Sequence, residues 1–198
     1  QITRNKIPDD IQNFYISHEG FIGVFNEELK EDDYDDIKDK KIVRDASKGW
    51  LGITDKYWMT ALVPEQGQNF KSTFLYKDAY KANYILNNPT TIKPSSSNIN
   101  NIRLFVAAKE VETIDAYAAN QNIEKLDLTI DWGWFYFFTK PLFFIIDYLF
   151  KLSGNFGIAI VLITIGIRLL FFPLANYSFR SMAKMKALQP EMVRLKEV

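Results

Sequence analysis

The sequence predicts a mixed architecture, in which an antiparallel β-sandwich domain precedes an interfacial amphipathic helix, one transmembrane α-helix and a final helix. Three observations point there. Residues 1–130 hold short aromatic and β-branched runs separated by closely spaced turn residues. Asp131–Leu152 (DWGWFYFFTKPLFFIIDYLFKL) then turns abruptly aromatic. Phe156–Ala175 (FGIAIVLITIGIRLLFFPLA) holds 20 residues with a single charge, Arg168. At about 1.5 Å per residue it reaches about 30 Å, the thickness of a bilayer's hydrocarbon core.

Across 198 residues the chain is 47% apolar and 24% charged, with 24 basic and 24 acidic side chains. That neutrality argues against a dedicated nucleic-acid binder. It conceals an asymmetry: from Asn176 onward five Lys/Arg face two acids, a balance of +3, which leaves −3 for residues 1–175. There are no cysteines, which excludes disulfides and thiolate metal sites.

Taken in order, Asn13–Ser17 and Phe21–Asn26 read as a hairpin turning at His18-Glu19-Gly20. The acidic run Glu27–Asp39 reads as a solvated loop or helix surface; its aspartates lack the glycine-centred spacing of a calcium loop. Strands follow at Trp50–Ile53, Tyr57–Val63, Phe70–Tyr76, Ala82–Leu86 and Ile102–Ala108. In the last, Ile102, Leu104, Val106 and Ala108 alternate with Arg103, Phe105, Ala107 and Lys109, the period of a half-buried strand. Val111, Ile114 and Tyr117 predict a short helix, and Leu126–Asp131 a closing strand.

Catalytic patterns are missing from this region. His18 has no second histidine at ligand spacing, and there is no phosphate loop, G-x-S-x-G or H-E-x-x-H. No cofactor is expected, and no enzymatic activity. Trp50, Tyr57, Trp58, Phe70, Phe74 and Tyr76 are read as core rather than as a carbohydrate groove.

Between Lys140 and Leu152 a helical wheel gathers Lys140, Asp147 and Lys151 in one narrow sector, with apolar residues elsewhere. Asp147 and Lys151 are an i,i+4 pair, and Pro141 falls in the expected first turn. Thirteen residues reach only about 20 Å, so this helix suits the headgroup boundary, with Trp132, Trp134 and Tyr136 ahead of it. Ser153-Gly154-Asn155 is a turn into the spanning helix. The excess of basic residues after Ala175 places the C-terminal side in the cytoplasm and the β-domain outside. The expected division is 1–130, 131–153, 154–175 and 176–198. An exported domain ahead of such a helix implies an anchor upstream of Gln1, so the chain is expected to be a fragment.

An arginine at mid-helix raises the insertion free energy by about 2.5–3.5 kcal/mol. Arg168 lies about 12 Å from Asn176 along the axis, near enough to snorkel toward the inner headgroups. Alternatively it faces a water-filled cavity, with Thr164 one turn away on the same face. Pro173 is expected to kink or end the helix. Beyond it, Met182, Met185, Leu188, Met192 and Leu195 mark a cytoplasmic amphipathic helix interrupted at Pro190. These features also permit a single-span receptor or adaptor with an outer ligand-binding sandwich. An outer-face carbohydrate enzyme needs two convergent carboxylates, and no pair stands out.

Several motifs resemble the YidC membrane insertase family. They are G-N-x-G at Gly154, Asn155 and Gly157, then T-x-x-x-R-x-x-x-x-P-L at Thr164, Arg168, Pro173 and Leu174, then S-M-A-K-M-x-x-L-Q-P at Ser181–Pro190. Leu126–Phe135, Lys140–Phe143, Gly49–Gly52 and Tyr57–Pro64 are similar to that family too. The resemblance implies a bacterial inner-membrane insertase and chaperone that takes nascent membrane proteins from the ribosome, alone or with the Sec translocon and its accessory subunits, and releases them into the lipid bilayer. It implies a periplasmic β-sandwich and a hydrophilic groove containing Arg168, with Thr164 beside it. Met182, Lys184 and Met185 would begin a cytoplasmic helical hairpin that makes contacts there.

Overall fold

The computed structural model describes residues 1–8, 17–88 and 91–196, without the side chains of 184 and 186–196. The chain folds as two compact units, Gln1–Gly133 and Trp134–Val198.

The first unit stacks two antiparallel sheets. One, in the order β1-β8-β7-β4, is built from β1 (Ile2–Arg4), β8 (Ala79–Leu86), β7 (Phe70–Lys77) and β4 (Ile42–Ala46). The other, in the order β3-β2-β5-β6-β9, is built from β3 (Glu28–Asp32), β2 (Gly20–Phe25), β5 (Gly49–Thr54), β6 (Trp58–Pro64) and β9 (Ile102–Ala108). Between the sheets lie Phe21, Phe25, Leu51, Leu62, Phe70 and Phe74, all buried. The opposite face of the five-stranded sheet is buried as well. There Trp50, Met59, Val63 and Phe105 meet Ile114 of α2 (Val111–Gln121) and Leu126. A strand covered on both faces reads as a continuous apolar run, which is why FIGVF and WLGI stand out in the sequence. The aromatics divide accordingly: Trp50, Phe70 and Phe74 are core, while Tyr57, Trp58 and Tyr76 are exposed.

Three local expectations change. The expected strand over Asn13–Ser17 lies, Ser17 apart, outside the described residues; the hairpin partner of β2 is β3, with Phe25 opposite Glu28. The turn between them holds Asn26 at φ 50° and Glu27 at φ 72°, the doubly left-handed turn that matches strand twist. The acidic run is therefore a strand and then a helix, α1 (Tyr34–Asp39); of the loop or helix surface expected there, the helix is present and the strand was not anticipated. Its Asp32, Tyr34 and Ile37 are buried. Leu126–Thr129 is a 3-10 turn instead of a strand, because Leu126 and Thr129, three apart, both point into the core over Trp50.

Gly49 and Gly52 flank Trp50 where backbones crowd. A Cβ at Gly52 would meet the Thr60 carbonyl at 2.1 Å, and one at Gly49, φ 119°, would meet that of Val24 at 1.8 Å. Only glycine lets β5 approach both neighbours this closely.

The second unit consists of α3 (Tyr136–Ser153) and α4 (Phe156–Lys196). Starting one turn earlier than expected, α3 places Pro141 at its sixth residue, where its missing N–H would have bonded within the helix. Gly154 at φ 66° ends α3, its N–H donating to Phe150 O at 2.8 Å. Asn155 Oδ1 accepts from the N–H groups of Gly157 and Ile158 at 2.8 and 3.3 Å, capping α4. Proline does not end α4: its 41 residues run through Pro173 and Pro190, about 60 Å, twice a hydrocarbon core. The helix expected after the spanning segment is its direct continuation.

Candidate functional site

The candidate site is one face of α4. The segment Phe156–Ala183 contains an 18-residue stretch with a mean hydropathy of 2.4, and nearly all of that stretch is unburied. Arg168 is the first charge in α4, 12 residues or about 18 Å from its start. Its side chain is exposed, as is that of Thr164 one turn earlier. Thr164 Oγ1 donates to the carbonyl of Ile160 at 2.7 Å, which satisfies the hydroxyl proton within the helix. The hydroxyl oxygen keeps its lone pairs and can still accept a hydrogen bond from a cation or water. The arrangement offers a fixed positive charge and a hydroxyl oxygen within an apolar stretch.

On α3, Lys151 Nζ and Asp147 Oδ2 lie 2.8 Å apart, the i,i+4 pair anticipated from spacing. Lys140 does something the wheel does not show: its Nζ sits 5.7 Å from the Tyr136 ring centroid, a cation–π contact one turn back. Edge-to-face ring contacts continue through Phe143 against Phe144 and, across the turn into α4, Phe150 against Phe156 at 5.9 Å. Ala159, just inside α4, is fully buried. On the later part of α4, Met182 and Met185 are exposed; the side chain of Lys184 lies outside the described residues.

In the first unit the polar groups are structural. His18 is more than a turn residue, its Nε2 lying 2.9 Å from Phe21 O and its Nδ1 3.5 Å from Asp33 Oδ1. Two arginine forks tie the sheets together. Arg44 on β4 meets Asp32 on β3 at 2.6 and 2.8 Å. Arg4 on β1 meets Asp55 just after β5 and donates to Tyr34 Oη at 2.9 Å. Burial pushes the Tyr34 phenol up to about 12, against the opposing pull of Arg4. Burial also holds Lys109 below its usual range, while Glu19 and Asp55 favour its charged form. These ties were invisible in the sequence because partners such as Arg4 and Asp55 lie 51 residues apart.

Residues 1–145 match the family model described as YidC periplasmic domain, and residues 148–198 that of 60Kd inner membrane protein. Among curated proteins, membrane protein insertase YidC of Pelagibacter ubique (strain HTCC1062) is 56% identical over 198 residues, covering 100% of this chain and 35% of the relative. The protein of that name from Brucella suis biovar 1 is 43% identical over 203 residues, covering 100% and 33%. That from Rickettsia bellii is 46% identical over 191 residues, covering 92% and 34%. The chain thus spans about a third of the length of the curated relatives it matches.

Proposed function

Since the chain belongs to the YidC family of inner-membrane proteins and carries that family's periplasmic domain, we propose that it is part of an insertase for nascent membrane proteins. Residues 131–153 lie at the outer headgroup boundary, 154–175 span the membrane and 176–198 begin the cytoplasmic side. The observation that carries this reading is Arg168, an exposed cation and the single charge of the apolar stretch Phe156–Ala175, with the hydroxyl of Thr164 one turn away.

The mechanism is physical. A hydrated, cationic cavity open to the inner leaflet lowers the free energy of bringing a client's acidic or polar outer segment part-way across. The apolar walls of α4 then pass its hydrophobic segment to lipid. An arginine suits this because it stays charged at any physiological pH. Met182, Lys184 and Met185 lie where contacts with the ribosome or the Sec translocon would form. Arg168→Ala in the full-length protein is expected to lower insertion of clients with acidic translocated tails about tenfold, while Arg168→Lys largely retains it. Undiminished insertion by the alanine variant would remove the groove role. In parallel, crosslinkers along the Thr164 face should capture apolar nascent segments, which a single-span receptor would not.

A further inference from the structure

The two ends of the sandwich in the first unit are built from different side chains. At one end the loops are tied together through their backbones. Asn26 N–H donates to Lys48 O at 3.1 Å, Gly67 N–H to Ser47 O at 2.8 Å and Asn87 N–H to Asn69 O at 2.9 Å. The connecting residues 26–27, 47–48, 65–69 and 87–101 include no Trp, Tyr or Phe. At the other end the β5–β6 turn carries Lys56-Tyr57, and β7 runs into its turn to β8 through Tyr76-Lys77. All four side chains are exposed, Tyr57 at 64% and Tyr76 at 44%. Lys56 Nζ sits 5.2 Å from the Tyr57 ring centroid, a cation–π pair.

Both tips lie at the end from which the chain leaves this unit. The N–H of Lys109, the residue after β9, donates to Tyr57 O at 2.8 Å, and its Nζ to Thr54 Oγ1 at 3.2 Å. Asp131, two residues before the unit ends at Gly133, is close enough to Lys109 to favour its charged form. In the facing sheet Tyr76 pairs with Tyr80 and Tyr80 with Arg4, which in turn meets Asp55 of the β5–β6 turn. Glu19, Asp55, Asp131 and Glu31 all surround Lys109 and offset its ammonium, so net charge does not draw this end to an anionic surface. What sets it apart is a ring next to an ammonium on each tip.

We propose that this end of the sandwich touches the lipid headgroup layer of the membrane through Lys56-Tyr57 and Tyr76-Lys77. The proposal rests on the reading that α3 lies at the headgroup boundary. Covalent geometry supplies the reach: Gly133 and Tyr136 are three residues apart, so the end of the unit and the start of α3 lie within about 11 Å of each other. A phenol ring and a lysine stem are apolar bodies with polar tips, the chemistry enriched where acyl chains meet water. There the ammonium meets lipid phosphates while the ring sits among the headgroups. A stable protein interface instead has a desolvated core depleted of lysine, and here each ring has a lysine directly beside it.

The test uses the full-length protein in a lipid nanodisc, with any native cysteine replaced. A nitroxide is attached in turn at Lys56→Cys, Lys77→Cys, Ile99→Cys and Ile145→Cys; the first two leave both tyrosines and the other tip intact. Its collisions with lipid-soluble oxygen and with a water-soluble nickel chelate are compared by power-saturation EPR. Ile99 is 79% exposed in the loop before β9, at the aromatic-free end, and Ile145 is 47% exposed on α3. The ratio of oxygen to nickel collisions at 56 and 77 is expected to exceed that at 99 by at least about threefold. Ratios at 56 and 77 equal to that at 99, with 145 lipid-like, overturn this contact and leave the reading of α3 standing. A water-like ratio at 145 overturns that reading and the contact with it. Loss of both kinds of collision at 56 and 77, the mark of burial against protein, also overturns the proposal.

Discussion

Arg44 and Asp32 meet as a two-pronged ion pair that joins the two sheets at one edge, while the guanidinium lies 5.6 and 5.9 Å from the ring centroids of Phe25 and Phe74. Asp32 is 8% exposed, so an unpaired carboxylate there has little water to turn to. Breaking a buried pair by removing one partner costs about 3–5 kcal/mol. Because Arg44 keeps some solvent contact, Arg44→Ala is expected to lower stability by about 2–3 kcal/mol. Arg44→Lys should recover only part of this, since an ammonium cannot bond both oxygens at once. Urea unfolding curves of the variants provide the check.

The turn Asn26-Glu27 holds a glutamate at φ 72°, where a residue with a Cβ is about 1–2 kcal/mol less favourable. Glu27→Gly is expected to stabilise the first unit by about 1 kcal/mol. The bond from Lys125 Nζ to the Glu27 carbonyl, at 2.6 Å, is to the backbone and survives the change. An unchanged or lowered midpoint of thermal unfolding would contradict it.

Gly52→Ala should act in the opposite direction. Its Cβ would press on the Thr60 carbonyl between two paired strands, and backbone cannot yield as a side chain can. A loss of about 2–3 kcal/mol is expected. In hydrogen exchange the faster amides should cluster on β5 and β6.

Tyr34 makes stability depend on alkaline pH. Burial pushes its phenol from the usual value near 10 up to about 12, so the native state favours the neutral form. That contribution is fully present below about pH 10 and is lost as pH rises toward 12. Its size is on the order of 2–3 kcal/mol. Tyr34→Phe should remove the loss: the stability difference between wild type and variant, followed from about pH 9 to 12, should shift steadily in favour of the variant. A difference that stays flat would mean that other groups govern the alkaline limb.

The acidic run and β9 show what a sequence withholds. In Glu27–Asp39, nothing local distinguishes Asp32 from its neighbours; Arg44, brought across from the other sheet, makes it a buried partner while Asp33 and Asp35 stay in water. On β9 the period-two alternation was plain, but the side that is buried depends on α2 and on how far the facing sheet reaches. Leu126–Thr129 carried β-prone residues and became a 3-10 turn because it closes a core over Trp50, whose indole Nε1 donates to Glu124 O at 3.2 Å.

The sequence by itself determined the apolar stretch long enough to cross a membrane, its one cation, the Gly154-Asn155 turn and most of the strands. Each depends on contiguous residues: hydropathy over 20 positions, a cap within three residues, an alternation along one strand. Tertiary structure decided which carboxylates are paired, which face of β9 is covered, and that α4 continues through Pro173. Those outcomes rest on groups distant in sequence, or on the balance between one lost hydrogen bond and the remaining turns of a long helix. Local patterning states what a segment prefers; only the neighbours that folding brings to it select among the alternatives.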